Sequence, residues 1–224
     1  MKKAVIIVAA GSGSRMGGKL PKQYLQLQDK PVIIHTLERF RLFDPKMKIV
    51  VVLASAHREL WEQIAASYEI AGEQSIAIGG ITRYDSVKNG LSLIDQEELI
   101  GIHDAVRPLV SQDTLTRCYE AAILEGSGIP VIDMEESVRM LEGQGGSRHM
   151  DRSRLKRVQT PQVFQSDRIK KAYQQPYNQK YTDDASVYET LYSPLSLVEG
   201  NLENIKITTP LDLRLAELLM ASPG

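Results

Sequence analysis

The chain has 224 residues, and its 27 basic and 28 acidic side chains nearly cancel, leaving a formal net charge of −1. This balance excludes proteins that are held on nucleic acid or an anionic membrane by bulk charge, because they need a clustered basic excess. Hydrophobic residues at 42% and charged residues at 25% are ordinary for a globular domain and exclude collagen-like and disordered chains. Any polyanion must therefore be bound at a local site.

The N-terminus is similar to a signal peptide, because two lysines precede the short apolar run 4–10. That run has the minimum length for such a segment and leads directly into a glycine-rich loop, so we predict a buried strand instead. No run approaches the roughly 18 apolar residues that a membrane span requires. The single cysteine, Cys118, allows no disulfide and is expected to be a small buried side chain rather than a nucleophile. A reducing, cytoplasmic compartment fits these features best.

Short apolar runs alternate with helical patterns along the first part of the chain. The runs are rich in Val, Ile and Ala, which is typical of strands buried on both faces, and they cover 4–9, 49–54, 75–78, 99–103 and 129–132. Between them, apolar residues recur at three- and four-residue spacing, which predicts helices over 31–43, 56–70, 83–94 and 111–124. This alternation predicts an α/β fold with a doubly wound, mostly parallel sheet. Its functional loops should lie at the carboxyl ends of the strands.

A β-hairpin is predicted to protrude from this sheet as an arm at about 136–156. Its strands would be 137–141 and 148–155, joined by a cluster of turn residues at 142–147. Because an isolated hairpin is marginally stable in water, we expect the arm to pack on another surface, and a second subunit is a natural candidate.

Two extended segments, 195–198 and 204–208, then lead to a last helix. Thr209 is its predicted N-cap, with Pro210 at the first helical position. The chain contains no internal repeat and no linker, so a single domain over 1–224 is predicted.

A glycine-rich loop follows the first strand and carries three cations within eight residues, at Arg15, Lys19 and Lys22. Glycines at a strand end let backbone N–H groups face an anion, so this loop predicts phosphate binding. Met16 stands where the dinucleotide fingerprint needs glycine, and Leu20 stands where a P-loop needs Ser or Thr. A merely flexible loop is the alternative, but it does not explain the grouped cations.

Two other strand ends carry candidate residues. Paired glycines 79 and 80 could approach a flat base, with Arg83 and Ser86 in the following helical turns; a plain strand-to-helix turn is the alternative. Asp104 ends another strand, where it could bind Mg²⁺ together with substrate phosphates, or could pair with Arg107 to shape the turn. The four histidines lack metal-ligand spacing, and no serine pattern supports a hydrolase triad.

Basic residues cluster again near the predicted arm. They occupy a ten-residue stretch that is either a solvated strand face or a surface able to reach an anionic substrate: Arg148, Arg152, Arg154, Lys156 and Arg157. Lys206 alternates with apolar neighbours, which predicts that it projects away from them into solvent.

In this order, the segments resemble the 2-C-methyl-D-erythritol 4-phosphate cytidylyltransferase family over nearly the whole chain. The matching motifs are Ala9-Ala10-Gly11-x-Gly13-x-Arg15-Met16, Pro21-Lys22-Gln23-Tyr24, Gly79-Gly80-x-x-Arg83-x-x-Ser86-Val87, His103-Asp104-Ala105-x-Arg107-Pro108, Asp151-Arg152, Gln159-Thr160-Pro161-Gln162, Thr182-Asp183-Asp184-Ala185 and Asn204-Ile205-Lys206-Ile207-Thr208.

The resemblance implies a Rossmann-like nucleotidyltransferase that transfers CMP from CTP to methylerythritol 4-phosphate in the non-mevalonate isoprenoid route, releasing pyrophosphate. It implies that CTP is bound by Ala9, Ala10, Gly11, Gly13, Gly80, Arg83 and Ser86. It implies catalytic roles for Arg15, Lys22, Arg152 and Lys206, and substrate binding by Asp104, Arg107, Arg152, Thr160 and Lys206. Asp104 would also hold Mg²⁺. The family further implies a homodimer in which Arg152 on the arm reaches the neighbouring subunit's site.

This chemistry fits the residue types. The attacking phosphate monoester has a second pKa of about 6, so it needs no general base, and the reaction needs charge stabilisation instead. Loss of Arg15 or Lys22 should therefore lower turnover by roughly 10²–10³-fold.

Three other functions are compatible with parts of the sequence. Ribitol 5-phosphate cytidylyltransferases share several of these motifs, and Met134 stands where the methylerythritol phosphate family commonly has threonine. An NAD-binding oxidoreductase would use a similar sheet, although Met16 argues against it. A non-catalytic nucleotide sensor is the third, which retention of Arg15, Lys22 and Asp104 together disfavours.

Overall fold

A computed structural model describes residues 1–11, 20–68, 70 and 72–221. Its strands are β1 (Lys3–Ala9), β2 (Gln26–Leu27), β3 (Lys30–Pro31), β4 (Lys48–Leu53), β5 (Ser75–Ile78), β6 (Leu99–Asp104), β7 (Ser127–Asp133), β8 (Val138–Leu141), β9 (Ser147–Met150), β10 (Lys156–Val158), β11 (Gln162–Gln165) and β12 (Leu197–Glu199). Its α-helices are α1 (Val32–Phe43), α2 (Arg58–Ser67), α3 (Arg83–Leu91), α4 (Gln112–Glu125), α5 (Ser166–Ala172), α6 (Asp184–Tyr188) and α7 (Pro210–Ala221).

Eight of these strands form one sheet in the order β10-β7-β11-β6-β1-β4-β5, with β12 beside β7. Strands β5, β4, β1 and β6 are parallel, whereas β11 runs antiparallel between β6 and β7. The predicted α/β fold with a mostly parallel sheet is confirmed. Strand β11 was not predicted, because its sequence QVFQ is too short and too polar at its ends to stand out as an apolar run.

Both faces of the sheet are covered, as the near-continuous apolar strands predict. Successive side chains of β1 point to opposite faces, so Val5 and Ile7 join the core under α1, α2 and α4, while Ala4 and Ile6 join the core under α3, α5 and α6. All four are 0% exposed. The N-terminal segment is thus a central strand, as predicted, and none of the described helices is long and apolar enough to cross a bilayer.

Cys118 lies on α4 with no exposed surface, and burial raises the pKa of its thiol to about 12. The prediction of a small buried side chain is confirmed, because a thiol that stays protonated at neutral pH is a poor nucleophile.

The predicted hairpin is present, with β8 and β9 paired antiparallel from Val138↔Met150 to Leu141↔Ser147. Its second strand ends at Met150 rather than 155. The reason is local: the side chain of Asp151 accepts a hydrogen bond from Ser153 N and begins a 3₁₀ turn over 152–154.

The last helix begins as predicted, with Thr209 Oγ1 accepting from Asp212 N at 3.2 Å. The segment 204–208 before it, which was predicted to be extended, lies outside any strand or helix.

Three strand ends meet at one edge of the sheet and position the candidate residues. Val8 is in register with Asp104, and Ala9 is in register with Leu53. Leu53 in turn pairs with Ile78, the last residue before the paired glycines. The loops after β1, β5 and β6 therefore surround a common space, as expected for the carboxyl edge of a parallel sheet.

Candidate active site

A pocket of about 390 Å³ opens at this edge of the sheet. It brings together residues from five parts of the chain: Val8, Ala9, Ala10, Gly11, Lys22, Gln23, Gly80, Ile81, Thr82, Arg83, Ser86, Asp104, Ala105, Val106 and Lys206. Nine residues singled out from the sequence lie here: Ala9, Ala10, Gly11, Lys22, Gly80, Arg83, Ser86, Asp104 and Lys206. The predicted contributions of Gly13 and Arg15 lie outside the described residues.

The first wall is the end of β1 and the backbone that follows it. Gln23 is 2% exposed and donates its side-chain amide to the carbonyls of Ala9 at 2.7 Å and Gly11 at 3.3 Å. These bonds hold the backbone that follows β1 against the turn that carries Lys22. Gln23 was part of a quoted motif but received no role from the sequence, because its partners are backbone atoms more than ten residues away.

The second wall is the turn from β5 into α3. Thr82 caps the helix in a reciprocal capping box with Asp85. A Cβ on Gly80 would lie 2.2 Å from Cβ of Asp85, so this position requires glycine. Ser86 Oγ accepts from Gly80 N at 3.2 Å and donates to Thr82 O at 2.9 Å, which commits its proton to the turn. The segment is both a capped strand-to-helix turn and a pocket wall.

Arg83, on the same wall, is held by a partner from a distant part of the chain. Its Nη1 and Nη2 lie 2.8 and 2.6 Å from Oδ1 and Oδ2 of Asp184, whose side chain is 0% exposed. Burial lowers the pKa of Arg83, but the charge and hydrogen bonds of Asp184 outweigh it and leave that pKa above its usual value.

Asp104 lies at the floor of the pocket among cations. Lys206 Nζ is 2.9 Å and Arg107 Nε is 3.4 Å from its Oδ2. Burial raises the pKa of Asp104, but the charges of Lys206, Arg83 and Arg107 outweigh this and hold it well below its ordinary value. The predicted ion pair with Arg107 is therefore present, and neither pair uses Oδ1.

Lys206 is exposed over 42% of its side chain, as its alternation with apolar neighbours predicts, but its Nζ lies against Asp104 Oδ2 at 2.9 Å instead of standing in bulk solvent. Its segment is tied to the turn after β6, since Arg107 donates to Asn204 O at 2.7 Å and Ile207 N donates to Val106 O at 3.0 Å. These long-range bonds direct Lys206 toward Asp104, and alternation within its own segment could not reveal them.

A buried chain of hydrogen bonds through Thr160 and His103 holds the backbone at Asp104 in place. Thr160 Oγ1 accepts from Asp104 N at 3.1 Å and lies 3.0 Å from His103 Nδ1, while His103 Nε2 lies 3.0 Å from Arg107 O. Because a carbonyl only accepts, Nε2 carries the proton and Nδ1 accepts from Thr160. Burial lowers the pKa of His103 to about 4, so the ring is neutral near neutral pH. The sequence assigned His103 no role.

Thr160, predicted to bind substrate, is 6% exposed and does not line the pocket. Arg152, also predicted for the site, lies on the exposed turn after β9, donates to the carbonyl of Glu135, and does not line this pocket of its own chain. The remaining basic residues of that stretch are exposed as well.

Carboxylate and imidazole ligands do not cluster within the described residues, where no group of three or more His, Cys, Asp or Glu could hold a metal ion. Mg²⁺ commonly binds one or two carboxylates and completes its shell with substrate phosphates and water. The Asp104 carboxylate, which lines the pocket together with the backbone that follows β1, fits that donor set.

Comparisons with known proteins agree on one family. The family model for 2-C-methyl-D-erythritol 4-phosphate cytidylyltransferase matches residues 3–222. A protein of that name from Phocaeicola vulgatus is 49% identical over 98% of this chain and 100% of its own length. One from Porphyromonas gingivalis is 45% identical over 99% of both chains.

Solved structures give the same result. A 4-diphosphocytidyl-2C-methyl-D-erythritol synthase from Anaerococcus prevotii superposes with a TM-score of 0.84 at 25% identity, covering 99% of each chain. A 2-C-methyl-D-erythritol 4-phosphate cytidylyltransferase from Thermus thermophilus gives a TM-score of 0.79 at 30% identity, covering 99% of this chain and 100% of the other.

Proposed function

Because this chain belongs to the 2-C-methyl-D-erythritol 4-phosphate cytidylyltransferase family, we propose that it transfers CMP from CTP to 2-C-methyl-D-erythritol 4-phosphate and releases pyrophosphate. The reaction belongs to isoprenoid biosynthesis by the non-mevalonate route. The observation that carries the proposal is the single pocket in which the Ala9–Gly11 backbone, Lys22, Asp104 and Lys206 meet. Each comes from a separate motif of the family.

The residues suit an in-line displacement in which the substrate phosphate is its own nucleophile. That phosphate is ionised near neutral pH, so the pocket needs no general base. Negative charge builds on the phosphoryl oxygens and on the leaving pyrophosphate, and preorganised cations and N–H donors stabilise it. Lys22 would supply charge on the side of the phosphate loop, and Lys206 would supply it on the side of the incoming sugar phosphate. Arg15 is proposed for the same task beside Lys22.

Asp104 has two proposed roles. Its Oδ2 orients Lys206 and Arg107, both within 3.4 Å, and so places two cations where the sugar phosphate would enter. Its Oδ1 would be the protein ligand for Mg²⁺, which when bound neutralises phosphate charge and aligns the triphosphate.

The reaction is tested by pyrophosphate release in an assay that crosses CTP, UTP, ATP and GTP with methylerythritol 4-phosphate and ribitol 5-phosphate. We expect product only with CTP and methylerythritol 4-phosphate. Preference for ribitol 5-phosphate would overturn the acceptor assignment, and Met134 would then be the first residue to examine. The absence of pyrophosphate from every pair would overturn the proposed reaction.

The role of Asp104 is tested by Asp104→Asn, which keeps the shape of the side chain but removes its charge. We expect turnover to fall by about 10²–10³-fold, because the cations lose their orienting partner and the metal loses its carboxylate. The dependence of the residual rate on Mg²⁺ concentration should shift to higher concentrations. Asp95→Asn, at an exposed position on the protein surface, is the matched control and should retain wild-type kinetics.

We also propose a cytoplasmic homodimer of single-domain chains, in which the arm of each subunit reaches the partner's pocket. Three features support this. Leu141 on the arm is 85% exposed, Met140 is 43% exposed, and Arg152 lies outside the pocket of its own chain. An arm with apolar and cationic residues facing solvent is suited to covering a second subunit's anionic substrate.

A further inference from the structure

Asp184 is a buried acid to which the proposed reaction assigns no role. It lies 101 residues beyond Arg83 in the chain and opens the short helix α6. Its carboxylate accepts from both terminal nitrogens of Arg83, and Oδ1 also accepts from the Tyr173 hydroxyl at 2.6 Å. These three hydrogen bonds compensate the buried charge of Asp184, because an unpaired charge at this depth would be strongly unfavourable. Asp184 and Arg83 therefore form a stable ion pair.

The residues on either side of Asp184 are themselves held by hydrogen bonds. Gln162, 1% exposed on β11, donates to Asp183 Oδ2 at 2.7 Å and accepts from Ala185 N at 2.7 Å. Asp183 also caps α6 in a capping box with Ser186. The two residues that flank Asp184 are therefore anchored to the central sheet, which leaves its carboxylate little freedom to move.

Tyr173, which donates to Asp184, also contacts α3 through its aromatic ring. The ring of Tyr84, next to Arg83, stacks on Tyr173 with centroids 4.7 Å apart, and its hydroxyl donates to Tyr173 O at 2.9 Å. The backbone that carries Arg83 and the group that holds its guanidinium are thus joined at two points. This arrangement fixes the distance between them.

The consequence for Arg83 is chemical. The ion pair offsets its charge and engages one N–H on each terminal nitrogen, while the remaining N–H groups of the planar guanidinium stay available. Arg83 lines the pocket with 31% of its side chain exposed. It is therefore a hydrogen-bond donor held in a fixed orientation on the wall of the pocket.

From this geometry, and on the basis of the proposed function, we propose that Asp184 is a positioning residue for CTP, acting through Arg83 and supported by Tyr173. It holds the guanidinium in the orientation that binds the nucleotide, so the enzyme pays no ordering cost for this side chain when CTP arrives.

The test compares Asp184→Asn, Tyr173→Phe and Arg83→Lys in steady-state kinetics and in calorimetric CTP binding. For Asp184→Asn we expect the KM and Kd for CTP to rise about tenfold or more, because a misplaced donor weakens ground-state and transition-state binding alike. The KM for methylerythritol 4-phosphate and kcat at saturating CTP should stay within about threefold of wild type. Tyr173→Phe should give a smaller rise in the same direction.

A double-mutant cycle separates positioning from mere structural support. If Asp184 acts through Arg83, adding Asp184→Asn to Arg83→Lys should raise the KM for CTP little further. Asp44→Asn is the matched control. It breaks a partly buried ion pair with Lys3 at the start of β1, so it should lower stability without changing CTP binding.

An unchanged KM and Kd for CTP in folded Asp184→Asn, or additive effects in the cycle, would overturn the proposal. If Asp184→Asn does not fold, Tyr173→Phe provides the test. Unchanged CTP binding in Tyr173→Phe would then overturn the proposal. Failure of the proposed reaction is recognised separately, because the wild-type enzyme would then release no pyrophosphate from CTP and methylerythritol 4-phosphate.

Discussion

At the scale of single residues, buried polar side chains organise the pocket as much as its cations do. Gln23, His103, Thr160 and Asp184 are each at most 6% exposed. Each bonds to backbone or to a charged residue of the site. Burying a polar group lowers stability unless the group is hydrogen-bonded. A fully hydrogen-bonded network therefore favours a single arrangement of its side chains. The cations of the pocket are thereby oriented before substrate binds.

His103 predicts a specific dependence of stability on pH. Its pKa is about 4 in the folded protein, against 6.5 in an unfolded chain. Between these values the unfolded state binds a proton that the folded state does not, so stability falls as the pH falls through this window. The loss should be on the order of 3 kcal/mol once the pH lies below both values.

The measurement is urea unfolding from pH 7 to pH 4 in the presence of EDTA, with His103→Gln as the comparison. The variant keeps an amide donor for the carbonyl of Arg107 but cannot titrate. Its free energy of unfolding should therefore depend less steeply on pH across this window. Identical slopes in the two proteins would show that His103 does not carry the effect.

At the scale of elements, the turn from β5 into α3 combines a helix cap with residues that are proposed to bind the nucleotide. The Thr82 capping box determines where α3 begins, and α3 begins with Arg83. The same turn positions Gly80 and Ser86 at the pocket. A change in the cap should therefore affect the fold and the site together.

Thr82→Ala should lower the free energy of unfolding by about 1 kcal/mol, the usual cost of losing a helix N-cap. It should also raise the KM for CTP several-fold, because the first turn of α3 carries pocket residues. Ser111→Ala is the control, since Ser111 caps α4 by accepting from Thr114 N and does not line the pocket. It should have a similar cost in stability and leave the KM for CTP unchanged; equal KM values in both variants would contradict the prediction.

At the scale of the whole molecule, the sheet and the arm have different proposed roles in the active site. The carboxyl edge of the sheet collects the loops that are proposed to bind the nucleotide, whereas the basic residues of the arm do not line the pocket of their own chain. If two chains associate as proposed, each pocket is completed by the other chain's arm. A C₂ dimer satisfies this requirement for both pockets at once.

A mixed dimer tests the exchange of arms directly. Arg152→Ala and Asp104→Asn chains, co-expressed with different affinity tags, would form a dimer in which one pocket has both residues intact and the other lacks both. We expect about half the wild-type turnover per dimer, although each parent homodimer is nearly inactive. Turnover no higher than that of the parents would show that Arg152 serves its own chain or that the chains do not exchange arms.

The sequence alone determined the alternation of strands and helices, the position of the first βα loop and most of the pocket residues. Strands β1, β4, β5 and β6 and helices α1 to α4 lie within about three residues of their predicted bounds. This was possible because buried parallel strands and amphipathic helices leave strong local patterns, and because strand ends converge by a general rule of parallel sheets. The motif order also indicated the family correctly.

Only the tertiary structure decided the pairing of Lys206 with Asp104, the insertion of β11 and the pairing of Arg83 with Asp184. The Arg83–Asp184 pair joins residues 101 positions apart, and the partners of Lys206 and of β11 also lie in distant parts of the sequence. Local periodicity carries no information about which buried polar group meets which. The pairing of buried polar groups depends on the three-dimensional position of every donor and acceptor, because each group needs a hydrogen-bond partner once water is excluded. The near-neutral overall charge is thus compatible with a pocket in which Lys206 pairs with Asp104 and Arg83 pairs with Asp184.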